Sequence, residues 1–222
     1  MTARSIAFIS LMFWAGCRAD AGDPDESRLG PIVDPPGFFA EPLPGPDPYV
    51  EGEARLSLGI FYEGGYSQLI AIDEQTVHYY IYLAQPSGQL TYRQIRDDDR
   101  VEGVVSDRII HGGLGFWGGG VHFDVARDLR AWQTLHVSLK SSSPAFAEIK
   151  IGMNSDGAIE TVDAGDYGWA ADGTWHTLAI PLTDLADLGV DLGAVTAALT
   201  LSGGSGTSAD SLKIDDVYFT TP

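Results

Sequence analysis

Cysteine is nearly missing from this sequence, which has one, Cys17, in 222 residues. A single thiol cannot form an intramolecular disulfide, a cysteine-based metal cluster or a dithiol redox site. Lysine is almost as scarce: Lys140, Lys150 and Lys213 are the whole supply, and 13 basic residues face 31 acidic ones for a formal charge of −18. Polyanions are held by concentrated Lys and Arg, so nucleic acid is excluded as a partner. The acidity is read as a solvated surface. Long apolar runs are absent too. Ile6–Gly16, IAFISLMFWAG, is too short to span a bilayer comfortably. No extended 3.6-residue pattern marks a helix, and only TDLADLGVDLGAV leaves room for one or two helical turns, capped by Thr183.

Catalytic signatures are equally thin. There is no G-x-S-x-G elbow, and His78, His111, His122, His136 and His176 show neither H-E-x-x-H nor another paired zinc spacing. The stretch HGGLGFWGGGVHFD (111–124) holds six glycines, but no G-K-[ST] follows and the glycines lead into a strand, so it is not a phosphate loop. The run Asp97–Asp99 reads as a solvated turn. The chain is therefore expected not to be an enzyme. A glycosidase needs two carboxyls about 5–5.5 Å apart, an arrangement that sequence spacing leaves open.

Three regions are expected. Met1–Arg4 is a short positive start, followed by the apolar run and Cys17. Residues 1–17 resemble a bacterial lipoprotein signal peptide, with Trp14 where such signals carry an aliphatic residue. The resemblance implies lipidation at Cys17. With Arg18 rather than Asp next, it implies an outer-membrane lipoprotein, on the surface or periplasmic side; otherwise the protein is secreted. Residues 18–50 hold eight of the twelve prolines and seven acidic residues. Such a segment is expected to be a disordered tether. Residues 51–222 form the domain.

Within the domain the pattern is short β segments. TLHVSLK places Leu135, Val137 and Leu139 on one face, and AEIKIGMN places Ile149, Ile151 and Met153 likewise. GVHFDV places Val121, Phe123 and Val125 inward, with His122 and Asp124 opposite. Turn signals such as QPSGQ, NSDGA and SGGSGTS separate the runs. The expectation is an all-β fold, a β-sandwich of about 10–11 strands.

DGTWHTLAIPLTDL (172–185), GVDLGAVTAALTL (189–201) and SLKIDDVYF (211–219) are similar to the C-terminal half of galactose-binding-like β jelly rolls, the fold of many bacterial carbohydrate-binding modules. The resemblance covers about residues 101–220. It implies a β-sandwich jelly roll with glycan binding as its function, and a structural Ca2+ site of many members. Asp215 or Asp216 matches the last-strand ligand, with Glu63 as partner; adjacent strand residues point to opposite faces, so only one is expected at the site and the other in water.

Sugar recognition pairs an aromatic face with flanking hydrogen-bonding groups. Trp117, Tyr167 and Trp169 are the aromatics, either exposed platforms or lids on the core, while Trp132 and Trp175 are read as packed. Polar partners are expected from the outward register of central strands, at His122, His136, Lys150 and Asn154, unless that face is merely a solvated convex sheet. The partner is a polysaccharide or glycan bound by a monomer, with the membrane reached only through the N-terminal anchor. Two other readings remain: a structural or adhesion lipoprotein that binds an envelope protein, and a small glycoside-active enzyme.

Overall fold

A computed structural model describes residues 55–58, 79–83, 90–96, 99–113, 115–207 and 209–221. The proposed signal peptide with Cys17, the tether and Glu63 lie outside them. Two antiparallel sheets face each other. The first runs β3 (Leu90–Arg96), β4 (Val105–His111), β11 (Ser211–Thr220), β6 (Thr134–Lys140), β9 (His176–Pro181), and β1 (Arg55–Ser57) also pairs with β11. The second runs β2 (Tyr79–Leu83), β5 (Trp117–Arg127), β10 (Val195–Gly203), β7 (Ile149–Ser155), β8 (Ala158–Asp163). Among the described residues one short helix, α1 (Leu182–Leu188), and two single 3-10 turns, Pro144–Phe146 and Ala164–Tyr167, fill the connections.

The core follows from period-2 alternation. Leu135, Val137 and Leu139 of β6 with Ile214 and Phe219 of β11 meet Ile149, Ile151 and Met153 of β7, Val121 and Phe123 of β5 and Leu199 and Leu201 of β10. These positions are all buried, so the alternation in TLHVSLK and AEIKIGMN carries over directly.

Several local features depart from the alternation or turn pattern. The glycines of 118–120 are not a turn: β5 begins at Trp117, and Gly118, Gly119 and Gly120 pair with Ser202, Leu201 and Thr200 of β10. Val125 is 55% exposed rather than packed, because β5 carries three extra residues between its pairs with Ala197 and Val195; Arg127 takes the inward place. Asp215 and Asp216 are both buried, so neither faces water. Between the pairs Asp215–Ser138 and Tyr218–His136, β11 has one residue more than β6, and Asp216 stands at φ 55° in that bulge. The helix is capped by the backbone of Pro181 with no side-chain cap, and Thr183 lies inside its first turn. NSDGA is a two-residue hairpin turn with Asp156 and Gly157 both at positive φ, and the strand that follows it, β8, pairs along β7.

Candidate functional site

The outer face of the second sheet is assembled from residues that alternate with the core. Three cross-strand rows cross its centre. His122 (β5), Ala197 (β10) and Asn154 (β7) form one, with Tyr80 of β2 and Ile159 of β8 at its flanking register positions. Gly120, Thr200 and Gly152 form the next, and Gly118, Ser202 and Lys150 the third, with Asp163 beyond Lys150. With strands about 4.8 Å apart and alternate residues about 6.7 Å apart, this floor is roughly 10 Å by 13 Å. Only small side chains occupy its middle.

Gly152 also shapes the edge. A Cβ there would fall 1.9 Å from the Glu160 carbonyl oxygen, so the backbone of β8 occupies the space a side chain would need. The edge strand thus closes that side of the floor with its backbone, as a wall against the Gly152 position. Thr200 lies at the centre, buried, with a hydroxyl that has no hydrogen-bond partner among the described residues. An unpaired buried hydroxyl costs free energy until a water or ligand group meets it. At one end Lys150 Nζ pairs with Asp163 Oδ1 at 2.6 Å, both side chains about half exposed. At the other, burial holds the His122 imidazole below its ordinary pKa, so it is neutral at pH 7. The face is therefore polar without strong net charge. Phe116, directly before β5, is 62% exposed and shares sequence parity with Gly118, Gly120 and His122.

The expected site residues divide sharply. His122 and Lys150 lie on this face. His136 does not: it belongs to β6 of the other sheet, its ring stacked on Tyr218 (centroids 4.5 Å, planes 5° apart) with Nε2 3.1 Å from Thr220 Oγ1. Alternation separates inward from outward residues but does not say which layer a strand joins. Trp117 is no platform. It is fully buried, edge-to-face with Phe146 at 5.0 Å, and Gly203 leaves room for it, since a Cβ there would lie 2.5 Å from Trp117 Nε1. Trp169 is also a core residue, 6% exposed, its indole N–H donating to the Phe146 carbonyl at 2.9 Å. Tyr167 is half-buried and donates to Asp184 Oδ2 at 2.6 Å; burial, then Asp184, push its phenol up to about 12. Trp175, expected in the core, is part-exposed, its indole donating to Asp99 Oδ1 at 3.1 Å. Phe116 and Thr200 were missed. Parity with His122 marked the first; nothing in sequence marked the second.

The calcium ligand expected from the last strand divides as well. Asp215 does not fit a cation: Oδ2 accepts the Val101 and Glu102 N–H groups at 2.7 and 3.3 Å, and Oδ1 accepts the Asp216 N–H at 2.8 Å. Its carboxyl is tied to backbone donors that pin residues 101–102. Burial pushes it up to about 8 against those hydrogen bonds. Among the described residues no group of three His, Cys, Asp or Glu side chains is arranged to hold a metal ion.

Two antiparallel sheets packed face to face with their core between them define a β-sandwich jelly roll. Known family models and curated sequences provide no match. In fold the chain is similar to a family 30 carbohydrate-binding module of a cellulosomal cellulase of Clostridium thermocellum, with TM-score 0.51, 17% identity, and 68% of this chain and 95% of that one covered. It is also similar to a family 11 carbohydrate-binding module of a cellulosomal cellulase of the same organism (TM-score 0.43, 12% identity, 67% and 91% covered). A third similar structure is the extra C-terminal domain of an exo-1,3/1,4-β-glucanase from a Pseudoalteromonas species (TM-score 0.47, 18% identity, 64% and 86% covered).

Proposed function

We propose that this chain is a non-catalytic carbohydrate-binding module that holds a polysaccharide across the outer face of its second sheet. The observation that carries the reading is the walled floor of Gly118, Gly120, Gly152, Ala197, Thr200 and Ser202, with the Thr200 hydroxyl unpaired at its centre. Backbone-level small residues let a sugar ring approach closely. Thr200, Ser202, Asn154 and Lys150 supply hydrogen bonds, and Phe116 supplies an apolar face at the end of the floor. The likeness to a family 30 carbohydrate-binding module supports the same assignment. An array of neutral polysaccharides probed with the full chain tests it. Thr200→Val and Phe116→Ala are expected to lose binding while keeping the wild-type melting temperature. A folded protein that retains no glycan refutes the reading.

The remaining parts of the proposal concern the ends of the chain and its ions. Cys17 is proposed as a lipid anchor and residues 18–50 as the tether that lifts a monomeric module off a bacterial outer membrane; mass spectrometry of Cys17→Ser against wild type reads the lipid. A structural calcium is proposed at Asp216 with Glu63, and an unchanged melting temperature after chelation rejects it. The adhesion alternative has support in the exposed apolar side chains of Phe116 and Val125. A pull-down in which Phe116→Ala and Val125→Ser abolish capture of one envelope protein, with no glycan bound, would favour it.

A further inference from the structure

The first sheet carries a feature that glycan binding on the opposite layer does not use. Arg93, Arg108, Lys213 and Lys140 occupy one continuous cross-strand row through β3, β4, β11 and β6, each in register with the next. Lys213 alternates with buried Leu212 and Ile214, Arg108 with buried Ile109, and Lys140 with buried Leu139, so these three side chains lie on the outer face. Like charges directly opposite on a sheet repel. Four of 13 basic residues stand together in a chain of formal charge −18.

The row already accommodates one carboxylate, from its own chain. Asp99, on the β3–β4 connection, accepts from Lys140 Nζ at 2.6 Å, Lys213 Nζ at 2.7 Å and Trp175 Nε1 at 3.1 Å. Three donors on three different strands or strand ends converge on that group. Arg108 is the next member of the row. It is part-buried, and its Nε is buried with no hydrogen-bond partner among the described residues. A guanidinium fork matches a carboxylate in two parallel hydrogen bonds. Asp215, the next outward position along β11 from Lys213, is closed off by the Val101 and Glu102 N–H groups.

We propose that this row, centred on Arg108 beside the Asp99 seat, is a second binding site that takes the carboxylate of a uronic acid residue. A chain at −18 repels a dense polyanion, but charges beyond about 8 Å are largely screened at physiological salt. The row therefore suits an isolated uronate on an otherwise neutral polysaccharide. The polysaccharide part of this inference rests on the function proposed above; the carboxylate part rests on the row alone.

The test titrates the full chain with a xylan bearing isolated glucuronate groups, with the same xylan after carboxyl reduction, and with free glucuronate followed by NMR. The glucuronate xylan is expected to bind about tenfold tighter than the reduced one, about 1.4 kcal/mol. Arg108→Gln and Arg108→Lys should both erase that preference, the second because it keeps charge and loses the fork. Asp99→Asn, which removes the charge that neutralises the two lysines, should strengthen uronate binding. Circular dichroism identifies any unfolded variant, and the Arg108 pair stands independently of Asp99→Asn. Equal binding of both xylans, or a preference that survives Arg108→Gln, overturns the site while leaving the glycan reading standing. Arg108-dependent shifts with free glucuronate but no bound xylan of either kind keep the carboxylate site and count against the glycan reading. No response to xylan or glucuronate refutes the site.

Discussion

Trp117 and Phe116 are neighbours whose truncation should have opposite consequences. Trp117 is fully buried against Phe146 and the backbone of Gly203. Removing a buried Trp side chain costs about 3–5 kcal/mol, a large part of the roughly 5–15 kcal/mol that holds a domain folded. Phe116 is exposed, and its loss should stay within about 0.5 kcal/mol. Guanidinium unfolding followed by far-UV circular dichroism should therefore find Trp117→Ala strongly destabilised or unfolded, and Phe116→Ala near wild type but defective in glycan retention. Gly203 sharpens the test. Its added Cβ would fall 2.5 and 2.8 Å from the Trp117 indole and 2.9 Å from the Glu148 carbonyl, so Gly203→Ala should cost about 1–3 kcal/mol as overpacking. In a Trp117→Leu background the indole clash is gone and only the carbonyl contact remains, so the same change should cost about 1 kcal/mol less. Strict additivity would refute the packing argument. A Trp117→Ala protein with wild-type stability and no glycan binding would restore Trp117 as an exposed platform.

Other expectations follow from charge and backbone. Burial raises the Asp99 carboxyl, but Lys140 and Lys213 together outweigh it and hold the group at about 2. The stabilisation from this depressed pKa is present above pH 3.8 and lost as pH falls through about 2. Because the side chain is more than a third exposed, solvent screening leaves about 1 kcal/mol, so Asp99→Asn should differ from wild type at pH 7 and converge with it near pH 2 in urea titrations. Asp215 runs the other way. Its raised pKa means that the folded state holds a proton that the unfolded chain releases, so stability should fall as pH rises from about 4 to 8, by up to about 1.4 kcal/mol per pH unit. A variant without this carboxyl, Asp215→Asn, should lose that slope, and an unchanged slope would remove Asp215 as its source. Gly152→Ala must displace the β8 backbone and should lower both the melting temperature and glycan binding; a crystal structure of the variant with β8 unmoved would contradict the wall.

What sequence could reveal here was alternation, and it failed where alternation was interrupted. The inward sets of β6 and β7 were legible because Leu135–Leu139 and Ile149–Met153 run without a break. Trp117 shares odd parity with Val121 and Phe123, which is its inward signal, but the three glycines between them carry no alternation that would extend the strand back to it. The glycines can sit in a strand because β10 pairs along them, with β2 opposite Gly119 and Gly120. β8 has no such signal: the turn chemistry of Asp156–Gly157 marks a boundary without showing that AIETVD pairs back along β7. The burial of Asp216 depends on a one-residue bulge that no local pattern announces, and that of Asp215 on the distant Val101 and Glu102 N–H groups that close over it. Layer assignment, which parts His136 from His122, depends on strand order, a non-local property.

β1 has a mechanical consequence. It is three residues long and joins the domain through the pairs Arg55–Thr220, Leu56–Phe219 and Ser57–Tyr218, followed by the Leu58 N–H on the Val217 carbonyl at 2.9 Å. Tension entering through the chain before Arg55 arrives first at this short zipper along β11. The outer face of the second sheet is in the other layer and shares no strand with it. Under pull the domain would yield at β1 first, while the face proposed to hold a polysaccharide keeps its shape.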